Sequence, residues 1–183
     1  QDVILRNKDL NIVYSAMHGA GRELVPLCLR SWGFQNINVV PEQMVIDGNF
    51  PTVVSPNPEN PEAMTLGMKL GTKLNADLVV ATDPDADRLA IVCRNDKGEW
   101  QILNGNQTAC MFYWYTIKNK KALNQLKPTD FMVKTIVTSE LIAKICKKNN
   151  VECFDEYTGF KWIAYRIREN EGKRQYIGGG EES

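Results

Sequence analysis

The sequence predicts an α/β protein of two similar three-layer units, each with a mixed, largely parallel sheet. Short β-branched apolar runs alternate with segments of helical spacing along the chain, a pattern typical of sheets covered by helices. Both halves share one order of elements: strand, helix, strand, loop, helix, strand and acidic loop. A turn at residues 104–106 separates the halves, so we expect one domain over residues 1–103 and another over residues 104–183.

In the first half, short apolar runs without helical spacing predict five strands. They are residues 11–15, 37–40, 78–81, 89–93 and 100–103. Helices are expected over residues 22–32, which Gly33 ends, and over residues 61–75, where Pro61 stands at a tolerated first position. The intervening residues 41–60 hold four prolines and predict a long loop.

In the second half, the same reasoning predicts three helices and three strands. The helices are residues 107–118, a segment that Ser139 caps and that ends near residue 149, and residues 160–170. The strands are residues 131–137, 151–154 and 175–177. Residues 118–129 are polar and predict a loop. In sheets of this kind, ligands bind beyond the carboxyl ends of the strands, so we expect both acidic loops to face one cleft.

Composition excludes several classes of protein. The 183 residues contain 22 basic and 22 acidic side chains, which is not the charge of a nucleic-acid binder. No apolar run approaches the ~20 residues of a membrane helix, and no signal peptide is visible. Five cysteines without a C-x-x-C pair predict a reduced, cytoplasmic protein. The chain starts at Gln1 and stops after a Gly-rich acidic segment, so we expect a piece of a longer protein.

Three carboxylates lie within five residues between two predicted strands: Asp83, Asp85 and Asp87. At ~4 Å each pair would repel by about 1 kcal/mol in water and by several at an effective dielectric near 20. A divalent cation reverses that repulsion, and carboxylate oxygens suit Mg²⁺, Mn²⁺ or Ca²⁺ better than Zn²⁺. Arg88 follows directly and matches the geometry of a phosphate. The segment therefore predicts a cation site that faces an anionic ligand.

This segment has two other interpretations. An EF-hand that starts at Asp83 needs Gly at its sixth position and Glu at its twelfth, but those positions hold Arg88 and Arg94. The calcium loop is therefore excluded. The simpler alternative is an acidic surface turn that binds nothing.

Five segments together resemble the α-D-phosphohexomutase superfamily, the phosphoglucomutases and phosphomannomutases. They are TDPDADR (82–88), FPTVVSPNPENPEAM (50–64), HGAG (18–21), TGFKW (158–162) and GEES (180–183). They occur in the family's order along nearly the whole chain, as its second domain and most of its third. The TGFKW segment is most similar in sequence to the phosphoglucomutase and phosphopentomutase branch.

The resemblance implies an isomerase that interconverts hexose 1-phosphate and 6-phosphate, with glucose as the expected sugar. Asp83, Asp85 and Asp87 would bind Mg²⁺, and Arg88 would be catalytic through contact with the phosphates. The reaction would pass through a phosphoserine in the family's first domain, and a fourth domain would complete the phosphate site. We therefore expect this chain alone to be inactive. The alternative is a nucleotide- or metal-binding α/β module without mutase chemistry.

The resemblance also implies a substrate site in the second half. Glu181 and Ser183 match the family's sugar-binding loop, whereas a flexible solvated tail is the alternative from the residues alone. Thr158, Gly159 and Lys161 lie at a loop-to-helix junction, where free N–H groups and a lysine attract phosphate. The alternative there is an ordinary threonine cap beside a solvated lysine.

Two further motifs have structural interpretations, and a third is a weak match to a nucleotide-binding fingerprint. His18, the one histidine, has no nucleophile partner in a recognisable motif. Residues 55–58 (Ser-Pro-Asn-Pro) echo the family's phosphoserine loop but lack its histidine, so we interpret them as a proline-braced loop. Residues 19–24 give G-x-G-x-x-L, close to the dinucleotide fingerprint but without its third glycine.

Overall fold

A computed structural model describes residues 2–183, which form two compact units. The first unit ends at Asn104 and the second begins at Gly105. Each unit is a helix-covered sheet, which confirms the predicted fold class. None of the helices within residues 2–183 combines the length and the apolar character that a membrane span requires.

The first unit contains a five-stranded mixed sheet. Its strands are β1 (Asn11–Ser15), β2 (Asn36–Val39), β3 (Leu78–Thr82), β4 (Leu89–Arg94) and β5 (Trp100–Leu103). Its helices are α1 (Asp2–Arg6), α2 (Gly21–Trp32) and α3 (Thr65–Lys73), with a short 3-10 helix at Pro41–Met44. The order in the sheet is β2-β1-β3-β4-β5, with β1 parallel to β2 and β3, and β4 antiparallel to β3 and β5.

Helices cover both faces of this sheet. Successive side chains of a strand point to opposite faces, so neighbouring residues of β1 show which helix lies on each side. Val13 and Val79 lie in a core that includes Met64 and Leu66 at the start of α3. Tyr14, the next residue along β1, is fully buried. Its hydroxyl lies where a side chain on Gly21, the first residue of α2, would be. Helices α2 and α3 therefore occupy opposite sides of β1.

The second unit contains a three-stranded sheet that is parallel throughout. Its strands are β6 (Asp130–Thr135), β7 (Glu152–Glu156) and β8 (Gln175–Gly180), in the order β7-β6-β8. Its helices are α4 (Gly105–Ala122), α5 (Glu140–Lys148) and α6 (Phe160–Glu169). Met132 packs with α4 and α5 on one face, and Phe131 and Val133 pack with Ile163 of α6 on the other. The carboxyl ends of all three strands meet at one edge.

Several predicted boundaries were wrong. Residues 61–64 form turns rather than helix, since Ala63 donates its N–H to the Asn60 carbonyl, and α3 begins at Thr65. Strand β6 ends at Thr135 because the chain turns there, with the Thr138 N–H bonded to the Thr135 carbonyl. Helix α4 continues to Ala122, into the expected loop.

The three glycines before Glu181 are strand rather than loop. Strand β8 runs to Gly180 and pairs with β6 across a register shift between Phe131 and Met132. A side chain on Gly179 would lie 2.5 Å from the Val133 carbonyl oxygen, so only glycine fits this close approach.

Candidate functional site

The acidic segment is the loop of a tight β hairpin. Thr82 at the end of β3 pairs with Leu89 at the start of β4, so residues 83–88 form the whole connection. The Ala86 N–H bonds to the Asp83 carbonyl at 3.0 Å, and Ala86 itself has a φ of 63°. This turn curls the loop back on itself. As a result, one carboxylate oxygen from each of the three aspartates lies within 4.8 Å of the others.

The loop concentrates negative charge around a carboxylate that is largely removed from water. Asp83 is 7% exposed, whereas Asp85 and Asp87 are exposed. Burial raises the pKa of Asp83, and the hydrogen bond from the Arg88 N–H opposes this by lowering it. A hydrogen bond to Asp85, together with the charges of Asp85 and Asp87, raises the pKa further. The Arg88 Nε lies 3.9 Å from Asp83 and 4.0 Å from Asp87, too far for strong pairing. The negative charge is therefore only partly balanced.

These donors fit a hard divalent cation. All three are carboxylate oxygens, the ligand type that Mg²⁺ and Ca²⁺ prefer, and they lie within 4.8 Å of one another at the tip of the hairpin. Three monodentate carboxylates leave about three positions of a Mg²⁺ octahedron for other oxygens. The structure thus brings together the three residues that the sequence predicts as metal ligands, and their binding of a cation stays a prediction.

The glycine-rich turn after β1 packs against this hairpin loop. A side chain on Gly19 would lie 2.2 Å from the Pro84 Cα, and the Ala20 N–H bonds to the Pro84 carbonyl at 2.7 Å. A side chain on Gly21 would meet the hydroxyls of Tyr14 and Thr82. Both glycines are thus explained by packing against the protein's own chain. The space a dinucleotide pyrophosphate would need beside Gly19 is taken by Pro84.

His18 has the structural role that the sequence predicted. It is 3% exposed, and its Nδ1 and Nε2 lie 2.8 Å from the Val45 carbonyl and the Thr52 hydroxyl. A carbonyl only accepts, so Nδ1 donates to Val45. The ring ties the long loop to the turn after β1.

The second unit brings two predicted substrate segments together. The Glu181 carboxylate accepts a hydrogen bond of 2.6 Å from the Gly159 N–H, immediately before α6 begins at Phe160. Gly159 has a φ of 115°, a conformation that other residues adopt only under strain. Thr158 and Lys161 flank this contact and are exposed, with the Lys161 ammonium 5.3 Å from the Trp162 ring centre.

A buried lysine at the same edge was missed by the sequence reasoning. The Lys134 side chain is fully buried, and its ammonium donates to Asp155 at 2.7 Å and to Glu140 at 2.8 Å. It also donates to the carbonyls of Thr138 and Thr135. Burial lowers the pKa of Lys134, but the bonds to the two carboxylates outweigh it, so the net pKa is raised. The only sequence signal was a lysine inside an apolar run, which a strand could have carried on an exposed face.

Comparison with known proteins agrees with the two-unit division. The family model for phosphoglucomutase/phosphomannomutase alpha/beta/alpha domain II matches residues 3–98, and the model for domain III matches residues 104–183. The chain belongs to the phosphoglucomutase/phosphomannomutase family, within the α-D-phosphohexomutase superfamily.

Similar proteins include relatives named for mannose and relatives named for glucose. A phosphomannomutase of Mycoplasmoides pirum is 36% identical over 180 residues, which is 98% of this chain and 32% of that protein. A phosphoglucomutase of Staphylococcus aureus (strain MRSA252) is 38% identical over 175 residues, which is 96% of this chain and 31% of that protein. The chain thus spans about a third of the length of these relatives.

Solved structures share the fold. A putative phosphomannomutase of Thermus thermophilus superimposes with a TM-score of 0.72 at 22% identity, covering 100% of this chain and 38% of that one. A phosphoglucomutase/phosphomannomutase family protein of Burkholderia thailandensis has the same TM-score and identity over 95% of this chain and 34% of its own. The expectation that both acidic loops face one cleft stays a prediction.

Proposed function

We propose that this chain supplies the metal-binding and sugar-binding loops of a phosphosugar mutase, which interconverts hexose 1-phosphate and 6-phosphate. The observation that supports this most is the convergence of Asp83, Asp85 and Asp87 on one point within 4.8 Å, in a chain that belongs to the mutase family. The phosphoserine and the remaining phosphate ligands would lie in a first and a fourth domain outside these 183 residues. Glucose is the proposed sugar, and relatives named for glucose and for mannose are similarly close.

The three aspartates would hold Mg²⁺. A bound Mg²⁺ would place positive charge beside the oxygens of the phosphoryl group that is transferred. Arg88 would bind the same phosphate, because its guanidinium is partly exposed and only loosely paired. Asp83 would hold Arg88 in place through the backbone N–H at 2.9 Å.

The second unit would bind the sugar and its distal phosphate. Glu181 and Ser183 would accept from and donate to neighbouring sugar hydroxyls. Lys161 and the start of α6 after Thr158 and Gly159 would attract the phosphate. All five cysteines are free thiols, which supports the cytoplasm as the proposed location.

Titration of the chain with glucose 1-phosphate in Mg²⁺, followed by amide NMR, tests this proposal. We expect shifts at residues 158–161 and 181–183 that glucose and inorganic phosphate each reproduce only in part. We also expect no turnover, because the phosphoserine is outside the chain. Turnover of glucose 1-phosphate by the isolated chain, or shifts confined to other residues, would contradict the proposal.

A further inference from the structure

Two buried threonine hydroxyls hold the segment that contains Glu181 and Ser183. The Thr138 Oγ1 lies 2.7 Å from a carboxylate oxygen of Glu182 and 2.8 Å from the Thr135 Oγ1. Thr135 is fully buried and Thr138 is 2% exposed. No step of the proposed function uses either hydroxyl, so their contact with the residue between the two proposed sugar ligands needs another explanation.

The direction of these hydrogen bonds is fixed by chemistry. An ionised carboxylate only accepts, so the Thr138 hydroxyl donates to Glu182. With its one proton committed, the Thr138 oxygen accepts from the Thr135 hydroxyl. Bonds to a charged acceptor are about twice as strong as neutral ones. The turn that carries Thr138 is itself fastened, because Lys134 donates to the Thr138 carbonyl at 3.1 Å.

The neighbouring residues show how little freedom the segment has. A side chain on Gly105, at the start of α4, would lie 1.4 Å from the Glu182 carbonyl oxygen. The adjacent Glu181 accepts the hydrogen bond from the Gly159 N–H. A shift of Glu182 would therefore move Glu181 relative to Gly159.

We propose that Thr138 and Glu182 are positioning residues for the sugar-binding loop. Their hydrogen bond sets where Glu181 and Ser183 stand, and the Thr135 hydroxyl orients Thr138. The inference rests on the proposed function only in taking Glu181 and Ser183 as the residues that bind the sugar. The mechanical link from Thr138 through Glu182 to Gly159 depends on the described contacts alone.

The test compares Thr138→Val with Thr138→Ser and with Thr129→Val, a control at an exposed threonine of the same unit. Amide hydrogen exchange at Gly159 is the first measurement, because Gly159 is not altered and reports on Glu181. We expect exchange about tenfold faster in Thr138→Val, given the usual strength of a bond to a charged group. Thr138→Ser restores the wild-type rate, and Thr129→Val leaves it unchanged.

Two exchange results would overturn the inference: an unchanged rate at Gly159 in Thr138→Val, or faster exchange spread evenly over β6, β7 and β8. The second result would mean general loss of stability rather than positioning. Affinity for glucose 1-phosphate is the second measurement, and we expect it to weaken in Thr138→Val and recover in Thr138→Ser. Absence of binding in the wild-type chain would contradict the proposed function, whereas the exchange rates would still decide the role of Thr138.

Discussion

The loop at Asp83–Arg88 and the strand ends of the second unit differ in how completely their charged side chains are paired. In the first, three carboxylates converge and the nearest guanidinium stays about 4 Å from two of them. In the second, one buried ammonium makes close bonds to two carboxylates and two carbonyls, and both glutamates of the last segment accept hydrogen bonds. The contrast teaches that charge left unbalanced within the fold leaves a place where a cation could be added, whereas balanced charge builds a framework that shapes a loop.

The support under the acidic loop gives the largest expected effect. Gly19→Ala places a methyl group 2.2 Å from the Pro84 backbone, so the loop must move. We expect a loss of about 3 kcal/mol in the free energy of unfolding of the first unit, measured by urea unfolding. Gly48→Ala is the matched control, since a side chain there meets nothing within 4 Å. Equal stability of the two variants would show that the turn does not support the loop.

The framework of the second unit depends on Lys134. Lys134→Met keeps the bulk but removes the donor to two carbonyls and two carboxylates, so we expect a loss of about 2 kcal/mol, limited because the carboxylates are partly exposed. Urea unfolding, monitored through the NMR signals of the second unit, measures this loss of stability. Lys147→Met, at an exposed position of α5, is the control. A loss no larger than the control would refute the framework role.

The contact between Lys134 and Glu140 should also make the stability of the second unit depend on pH. Its hydrogen bond and charge lower the pKa of Glu140 below the ordinary 4.5. The stability from this contact is therefore present above that value and is lost as pH falls through the lowered pKa. The raised pKa of Lys134 gives stability that is present below the ordinary 10.5 and lost as pH rises through the raised value. A carboxyl ¹³C titration checks the lowered pKa of Glu140. We expect a titration midpoint below 4.5 in the wild-type chain and a midpoint closer to 4.5 in Lys134→Met.

The smallest effect is expected from one charge of the acidic loop. Without a cation the three carboxylates repel, so Asp85→Asn should raise the stability of the metal-free chain by less than about 1 kcal/mol. Asp96→Asn, in the exposed hairpin turn, is the control and should change little. Thermal unfolding in the presence of a chelator measures both. A clear loss of stability in Asp85→Asn would contradict net repulsion among the three carboxylates.

The sequence predicted most of the fold because the strands are apolar, β-branched and bounded by turn residues. Strands β1 and β5 match the predicted bounds, and Ser139 caps α5 by accepting from the Leu141 N–H. The errors came from tertiary contacts that no local pattern shows. Residues 136 and 137 are apolar, yet the turn held by Lys134 ends β6 before them.

The acidic loop was also within reach of the sequence, because its three aspartates are close along the chain. The framework of the second unit was not. Thr138 and Glu182 are 44 residues apart, and Gly159 and Glu181 are 22 apart. Only the parallel sheet brings them to one edge. The glycines of the turn after β1 resemble part of a nucleotide site in sequence, because no local pattern shows that Pro84 packs against Gly19 and that Tyr14 and Thr82 pack against Gly21.

Mg²⁺-dependent stabilisation of the loop is the most direct test of the account. Thermal unfolding of the wild-type chain, Asp85→Asn and Asp96→Asn is followed as Mg²⁺ is raised. We predict that the wild-type chain and Asp96→Asn gain about 2.7 kcal/mol at a hundred times the dissociation constant, and that Asp85→Asn gains far less. An equal response of all three proteins, or no response of the wild-type chain, would contradict a cation site at Asp83, Asp85 and Asp87.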